Sequence, residues 1–352
     1  MATHPASSAR MPLFDAIKAV ASQLIVLHHL ISYGPMSEVA QRLFPRVVEW
    51  LYHDARLAVQ AFFVLAGFLA ARALAPGFVL RVQSPRLPIL KRFRRLALPC
   101  FAAVLISVAC AAVARSVMND PSLPAVPTVL QLAVHALLLQ DLLGYEALSA
   151  GVWYVAIDFQ LFAMMVLLLW LARAAPRRHR PAAAVALVAV SAALSLFVIN
   201  RDPSLDIVAP YFFGVYALGA AAFWASTPGR APFWLMPVAL VVLLALAVDF
   251  RERVAVAAVI ALCVGVARST DLTGRWPDIR VLAFLGRISF SVFLIHYPVA
   301  MLVNAAVHVS FGANPESSIA GLFVAWALSI AAGAVFHRWI EAPALRVGER
   351  GT

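Results

Sequence analysis

Charged residues are scarce in this chain, making up 13% of its 352 residues, whereas hydrophobic residues make up 63%. Soluble globular domains carry about 25% charged residues, so the composition excludes an ordinary soluble protein. The mean hydropathy of +0.88 points the same way. Because the apolar runs have the length of membrane-crossing helices, the sequence predicts an all-α polytopic membrane protein.

Cysteine is also rare, and Cys100, Cys110 and Cys263 all lie inside apolar runs. They form neither a disulfide framework nor a metal-ligand spacing, so no metal cofactor is expected. Internal repeats and low-complexity segments are lacking, and the short loops leave no room for a second soluble domain. No convincing cleavage site follows the first apolar run, which is therefore expected to stay as a membrane helix. The predicted parts are an N-terminal tail, a transmembrane domain and a C-terminal tail, at 1–12, 13–341 and 342–352.

Ten apolar runs are long enough, or nearly long enough, to cross about 30 Å of hydrocarbon. They lie at about 13–33, 57–75, 93–115, 152–173, 182–199, 207–225, 232–248, 254–268, 281–306 and 318–339. An eleventh candidate, at about 126–143, follows a proline-spaced stretch and contains His135.

The distribution of Lys and Arg among the loops indicates whether this eleventh segment crosses the membrane. If it does not, and the N-terminus is cytoplasmic, 21 of the 28 Lys and Arg residues lie on the inside. If it does cross, only 12 of the 28 lie inside. Cytoplasmic loops carry an excess of Lys and Arg. We therefore predict about ten transmembrane helices, one re-entrant or interfacial segment, and both termini in the cytoplasm. The net charge of +11 is explained by topology, so no nucleic-acid partner is expected.

The first apolar run carries ionisable residues on one helix face. Lys18 and His29 are eleven residues apart, which is close to a whole number of turns and about 16 Å along the axis. His296 and Asp158, on two other predicted helices, reach a similar depth. An ionisable residue at such depth faces a cavity or a partner; for His29 alone, a purely structural hydrogen bond between helices is an even alternative. Two histidines and a carboxylate at one level suit acid–base chemistry.

A basic cluster, KRFRR at 91–95, lies at the predicted cytoplasmic entrance of the third span. Arg92 and Arg95 are three residues apart and share a helix face. Guanidinium groups match phosphate geometry, although a plain topology anchor explains the cluster equally simply. A phosphate ligand inside and an acid–base centre nearer the outside would together imply transfer of a group through the membrane.

Six motifs in order resemble those of the acyltransferase-3 family of membrane-bound acyltransferases. They are FDAIKAVASQLIVLHH, FFVLAGFLAAR, RFRR, GVWYVAIDFQLF, LGRISFSVFLIHYP and RWIEAP. Three positions depart from the family pattern: Lys18 stands for a usual arginine, Asp158 for a usual glutamate, and Ala66 for a usual serine.

The resemblance implies transfer of an acyl group, commonly acetyl, from cytoplasmic acyl-CoA, with acetyl-CoA as the foremost co-substrate. The acceptor would be a hydroxyl of an envelope glycan, a glycolipid or a secreted small molecule. The expected location is the bacterial inner membrane, where membrane lipid and a carbohydrate or glycolipid acceptor would be the partners. The sequence leaves the oligomeric state open.

On this basis we assign hypothetical roles to six residues. Lys18, Arg92 and Arg95 would bind the phosphates of CoA; His29 would be the general base, Asp158 would orient its imidazole, and His296 would stabilise the oxyanion or hold the acceptor. An acyl-histidine intermediate is an alternative route. A proton-coupled secondary transporter is the rival function, but the sequence lacks the inverted repeats that it predicts. A non-catalytic scaffold would leave the depth-matched residues unexplained.

Overall fold

The computed structural model describes residues 11–230 and 232–345, and this part of the chain contains no β-strand. The α-helices are α1 Pro12–Leu30, α2 Pro35–Leu43, α3 Pro45–His53, α4 Val59–Leu74, α5 Arg86–Arg115, α6 Val129–Ala136, α7 Val152–Leu171, α8 Arg180–Phe197, α9 Ala209–Ala225, α10 Leu235–Val248, α11 Glu252–Ser269, α12 Leu272–Arg275, α13 Arg280–Phe311 and α14 Pro315–Phe336. One π-helical turn, His337–Glu341, continues α14. The prediction of an all-α fold is confirmed for the described residues.

Seven helical segments are long and apolar enough to cross a membrane. They are Pro12–Leu30, Pro45–Phe78, Arg86–Arg115, Val152–Ala174, Arg177–Arg201, Arg280–Phe311 and Pro315–Leu345. The three other predicted spans coincide with α9, α10 and α11, of which α9 and α10 are apolar but shorter. A multi-pass membrane protein is thus confirmed, whereas the count of ten and the orientation stay predictions. The tails predicted at 1–12 and 342–352, with Arg10, Arg346 and Arg350, lie largely or wholly outside the described residues.

The segment predicted at 126–143 forms only the eight-residue helix α6. Eight residues rise about 12 Å, so α6 is too short to cross the bilayer. His135 secures the turn that follows, because its Nδ1 hydrogen-bonds the Gln131 carbonyl at 2.8 Å and its Nε2 accepts from the Leu148 amide at 3.2 Å. The chain reverses at Leu138, which adopts a φ of 59°. These bonds agree with a re-entrant or interfacial segment and make His135 structural.

Burial divides the long helices into central and peripheral ones. The apolar window of α13 is 78% buried, whereas that of the segment containing α8 is only 22% buried. A helix that is apolar all round and little buried presents most of its surface to lipid. α13 is therefore a central helix, packed against α1, α2, α5 and α14, and it carries His296.

Glycines allow two pairs of helices to approach closely. A Cβ on Gly286 of α13 would lie 2.2 Å from the carbonyl oxygen of Asp15 in α1. In the same way, a Cβ on Gly67 of α4 or Gly219 of α9 would lie 1.9 Å from a backbone oxygen of the other helix. Small residues at helix interfaces let backbones pack directly in membranes. The Gly286 contact sets α1 against α13 and so aligns the two predicted histidines.

Two helices between α1 and α4, α2 and α3, fall where the sequence predicted only a loop. α2 is held to α13 because the Met36 amide donates to Asn304 Oδ1 at 3.1 Å. α3 meets α1 where the Leu51 carbonyl lies 3.1 Å from His28 Nδ1. Both helices thus cover the end of α1 that carries the histidines.

Candidate active site

The two histidines predicted to reach one depth are in direct contact. His29 Nδ1 lies 2.8 Å from His296 Nε2, and the two rings are within 8° of parallel. His296 is fully buried, while His29 is partly accessible. His29 lies about 26 Å along α1 from its first residue and His296 about 24 Å along α13. The depth argument thus holds for this pair.

The hydrogen bonds of His296 assign the tautomers of both rings. His296 Nδ1 lies 2.7 Å from the Phe293 carbonyl oxygen and 3.3 Å from that of Val292, and oxygens of this kind only accept. Nδ1 must therefore carry the proton, and the Nε2 of a neutral ring then accepts. It follows that His29 donates from Nδ1, which leaves the lone pair of His29 on Nε2.

This chain of bonds gives the two histidines different chemistry. His29 has an unprotonated Nε2 that is free to accept a proton from a substrate, while its Nδ1–H is oriented by His296. His296 has both nitrogens engaged within the protein, so it has no N–H left for an oxyanion. The geometry thus favours orientation of His29 by His296 over the predicted oxyanion role, and the alternative that His296 holds the acceptor stays a prediction.

Asp158, the third predicted member of the centre, is not placed on His29. Its Oδ2 accepts from Arg92 Nη2 at 2.5 Å, and the carboxylate is 3% exposed. Asp158 thus contacts Arg92, and its predicted action on the imidazole of His29 stays a prediction. The cause of this contact is the start of α5, which begins at Arg86 rather than near 93. Arg92 therefore lies inside the helix and reaches inward to α7, instead of facing the cytoplasmic mouth.

The other two residues predicted to hold the donor are separate from Arg92. Lys18 Nζ pairs with Asp15 Oδ1 at 2.8 Å, and its side chain is 31% exposed. Arg95 is exposed on the outside of α5, whereas Arg92 is turned inward. Lys18 and Arg92 are thus paired with different carboxylates, and joint binding of the donor by the three residues stays a prediction.

Aromatic side chains connect the histidine pair to the Arg92–Asp158 pair. The Phe293 ring lies 6.1 Å from that of His296 and 5.3 Å from that of Tyr154. Tyr154 is one turn before Asp158 on α7. The two polar pairs therefore belong to one packed region across α1, α13, α7 and α5.

Two tyrosines near His29 were missed by the sequence interpretation. The Tyr33 ring lies 5.9 Å from that of His29 and 5.2 Å from that of Tyr297. Their spacing in the sequence could have indicated both residues, since Tyr33 is one turn past His29 and Tyr297 directly follows His296. The Tyr33 ring thus lies beside His29, and the Tyr297 ring packs against Tyr33.

Glu341 is the second buried carboxylate among the described residues, after Asp158. Glu341 Oε2 accepts from Ser291 Oγ at 2.5 Å and lies 2.9 Å from His337 Nδ1. It thus joins the π-helical turn to α13. Among the residues that the structure describes, no three His, Cys, Asp or Glu side chains come close enough to hold a metal ion.

Comparison with known families supplies the identity. The acyltransferase-3 family model, described as an acyltransferase domain, matches residues 12–338, nearly the whole chain. No curated protein and no solved structure matches. The match contains both buried polar pairs and five of the six motifs, and it ends at the first residue of RWIEAP. The chain therefore belongs to the acyltransferase-3 family, as its motifs predicted.

Proposed function

We propose that this protein transfers an acyl group, acetyl foremost, from cytoplasmic acyl-CoA to a hydroxyl of an envelope glycan, a glycolipid or a secreted small molecule. Membership of an acyltransferase family and the membrane-crossing helices support the reaction class. The proposed location is the bacterial inner membrane. The observation that carries the proposal is the free Nε2 of His29, because a buried, oriented imidazole with an open lone pair is what a general base for a hydroxyl requires.

In the proposed reaction, His29 Nε2 takes the proton of the acceptor hydroxyl as its oxygen attacks the thioester carbonyl carbon. The carbon–oxygen bond forms, the carbon–sulfur bond breaks, and the departing CoA sulfur takes the proton from His29 Nε2. During this cycle His29 is transiently an imidazolium, and His296 Nε2 stabilises it by accepting the Nδ1–H. Acylation of His29 itself is disfavoured in this scheme, because Nε2 is needed for the proton.

The contact between Arg92 and Asp158 has a positioning role in this proposal. A buried charge pair is costly unless its geometry is good, and this pair joins α5 to α7 at a distance of 2.5 Å. We place neither residue on the reacting atoms. Lys18 and Arg95 keep their proposed role in attracting the CoA phosphates at the cytoplasmic surface.

The experiment that tests this proposal uses two adjacent histidines as a matched pair. Purified protein in detergent is given acyl-labelled acetyl-CoA and an envelope extract, and label transferred to the extract is measured. His29→Ala should lower the rate about 10²–10⁴-fold, the range for loss of a general base. His28→Ala should retain most of it, since His28 hydrogen-bonds the Leu51 carbonyl instead. Full activity of His29→Ala would refute the general-base role of His29, and absence of transfer by the wild type would refute the proposed function.

A further inference from the structure

A cavity of about 600 Å³ lies at the end of α7 that the distribution of charge assigns to the cytoplasm. Two loops form it: the one that follows α4, including Phe78 and Arg81, and the one that joins α7 to α8. Four arginines line it, Arg81, Arg173, Arg177 and Arg180, and no carboxylate is among its described lining residues. The size is that of a small-molecule site.

The cavity is a built feature, since tertiary contacts hold its two loops together. Arg173 Nη1 donates to the Val82 carbonyl at 2.7 Å and so ties the end of α7 to the loop after α4. Trp224 Nε1 donates to the Ala75 carbonyl at 3.0 Å, and its ring lies 5.7 Å from that of Phe78. The walls are thus fixed by contacts with α7 and α9.

The electrostatics of the cavity call for an anion. Like charges that share one site repel each other, and among the described residues no carboxylate forms an ion pair with any of the four guanidinium groups. α8 adds to the positive potential, because its first two residues, Arg180 and Pro181, line the cavity and no side chain caps its N-terminus. Guanidinium groups at a helix N-terminus match phosphate in charge and geometry.

We propose that this cavity binds the phosphate groups of a phosphorylated ligand. Under the proposed function the ligand is the phosphoadenosine end of acyl-CoA, so this part of the inference rests on that function; an anionic lipid headgroup is the other source of the same chemistry. Asp158 lies about 22 Å from Arg173 along α7. A ligand held here by its phosphates therefore needs a long, flexible arm to reach the buried pairs, and the pantetheine arm of CoA is of that kind.

The choice of variant follows from the hydrogen bonds of the four arginines. Arg173 and Arg180 bond the Val82 and Ala175 carbonyls, so their replacement would disturb the loops as well as the charge. The side chains of Arg81 and Arg177 are exposed and line the cavity. The informative variant is therefore Arg81→Gln with Arg177→Gln. Arg178→Gln is the control, because Arg178 is in the same loop, bonds His179 and does not line the cavity.

The experiment measures equilibrium binding of 3′-phosphoadenosine 5′-diphosphate to the full chain in neutral detergent. The double variant should bind at least about tenfold more weakly than the wild type, because it loses two charge-assisted hydrogen-bond donors to the phosphates. Arg178→Gln should bind within about twofold of the wild type, by the small worth of exposed charges. Arg81→Lys with Arg177→Lys, which keeps the charge, should recover part of the binding and so excludes misfolding as the cause.

A second arm identifies the source of the phosphate. Phosphatidylglycerol is added to the micelles, and the lipid that stays with each purified variant is quantified by mass spectrometry. If the double variant loses only nucleotide, the ligand is the nucleotide; if it loses only phosphatidylglycerol, the ligand is the lipid headgroup. Equal binding of both ligands by wild type and double variant would overturn the inference. Because no turnover is measured, the cavity stands or falls independently of the His29 experiment.

Discussion

Two buried polar pairs link distant parts of this chain, and they differ in charge and in the polar atoms that they leave available. Arg92 and Asp158 form an ion pair between α5 and α7, in which attraction between opposite charges holds the two helices together. His29 and His296 form a hydrogen bond between α1 and α13 that needs no net charge. The ion pair joins opposite charges but leaves Arg92 Nε and Asp158 Oδ1 buried without a hydrogen-bond partner, whereas the histidine chain ends on a lone pair that can take up a proton. We infer that the first pair positions helices and the second is equipped for chemistry.

The ion pair should give the largest loss of stability when one partner is removed. Asp158→Ala would leave the Arg92 guanidinium buried without its counter-charge, which costs about 3–5 kcal/mol. Titration of the purified protein in detergent with denaturant measures the free energy of unfolding of each variant. The control is Asp206→Ala, which removes an exposed carboxylate and should change stability by at most about 0.5 kcal/mol. Equal stabilities of the two variants would show that the ion pair contributes nothing.

The contact between α1 and α13 can be broken without touching the ion pair. Gly286→Ala would place a methyl group 2.2 Å from the Asp15 carbonyl, so the two helices must separate. Overpacking of this kind costs about 1–3 kcal/mol, and it should also reduce acyl transfer by parting His29 from His296. Gly274→Ala is the matched control, since no atom lies within 4 Å of its added Cβ. A loss of stability equal in both variants would contradict the close approach.

Helix ends explain why the sequence predicted one pair and not the other. α1 begins at Pro12 and α13 at Arg280, each within one residue of the predicted start, so depth arithmetic correctly placed His29 and His296 at a similar level. α5 begins at Arg86, well before the predicted 93. Hydropathy detects the part of a helix that faces lipid, and the charged turns of α5 carry no such signal. Arg92 was therefore assigned to the surface instead of to Asp158.

The basic cavity could not be predicted from the sequence, for a related reason. Its arginines were counted individually as cytoplasmic charges, which suffices for topology. Their convergence depends on the bond from Arg173 to Val82 and on the packing of Phe78 against Trp224. These contacts join segments that are far apart in the chain. Side-chain patterns within one helix could predict depth and face, but not how two loops dock.

The positioning role of His296 predicts a smaller, catalytic effect. His296→Ala removes the acceptor for the Nδ1–H of His29, so kcat should fall about 10- to 100-fold while the KM for acyl-CoA stays within about twofold. His296→Gln offers an amide oxygen as a replacement acceptor and should recover part of kcat. Steady-state rates of acyl transfer measure both parameters. A rise in KM without a change in kcat would assign His296 to substrate binding instead.

Lys18 belongs to neither buried pair, and its side chain is partly exposed. Its replacement should therefore give the smallest loss of stability. Its salt bridge with Asp15 is partly exposed, so Lys18→Gln should cost less than about 1 kcal/mol of unfolding free energy. If its charge attracts the CoA phosphates, the KM for acyl-CoA should nevertheless rise in Lys18→Gln and fall in Lys18→Arg, because a guanidinium binds phosphate through two parallel hydrogen bonds and an ammonium does not. Equal KM values for all three proteins would remove Lys18 from donor binding and leave that work to the arginines of the cavity.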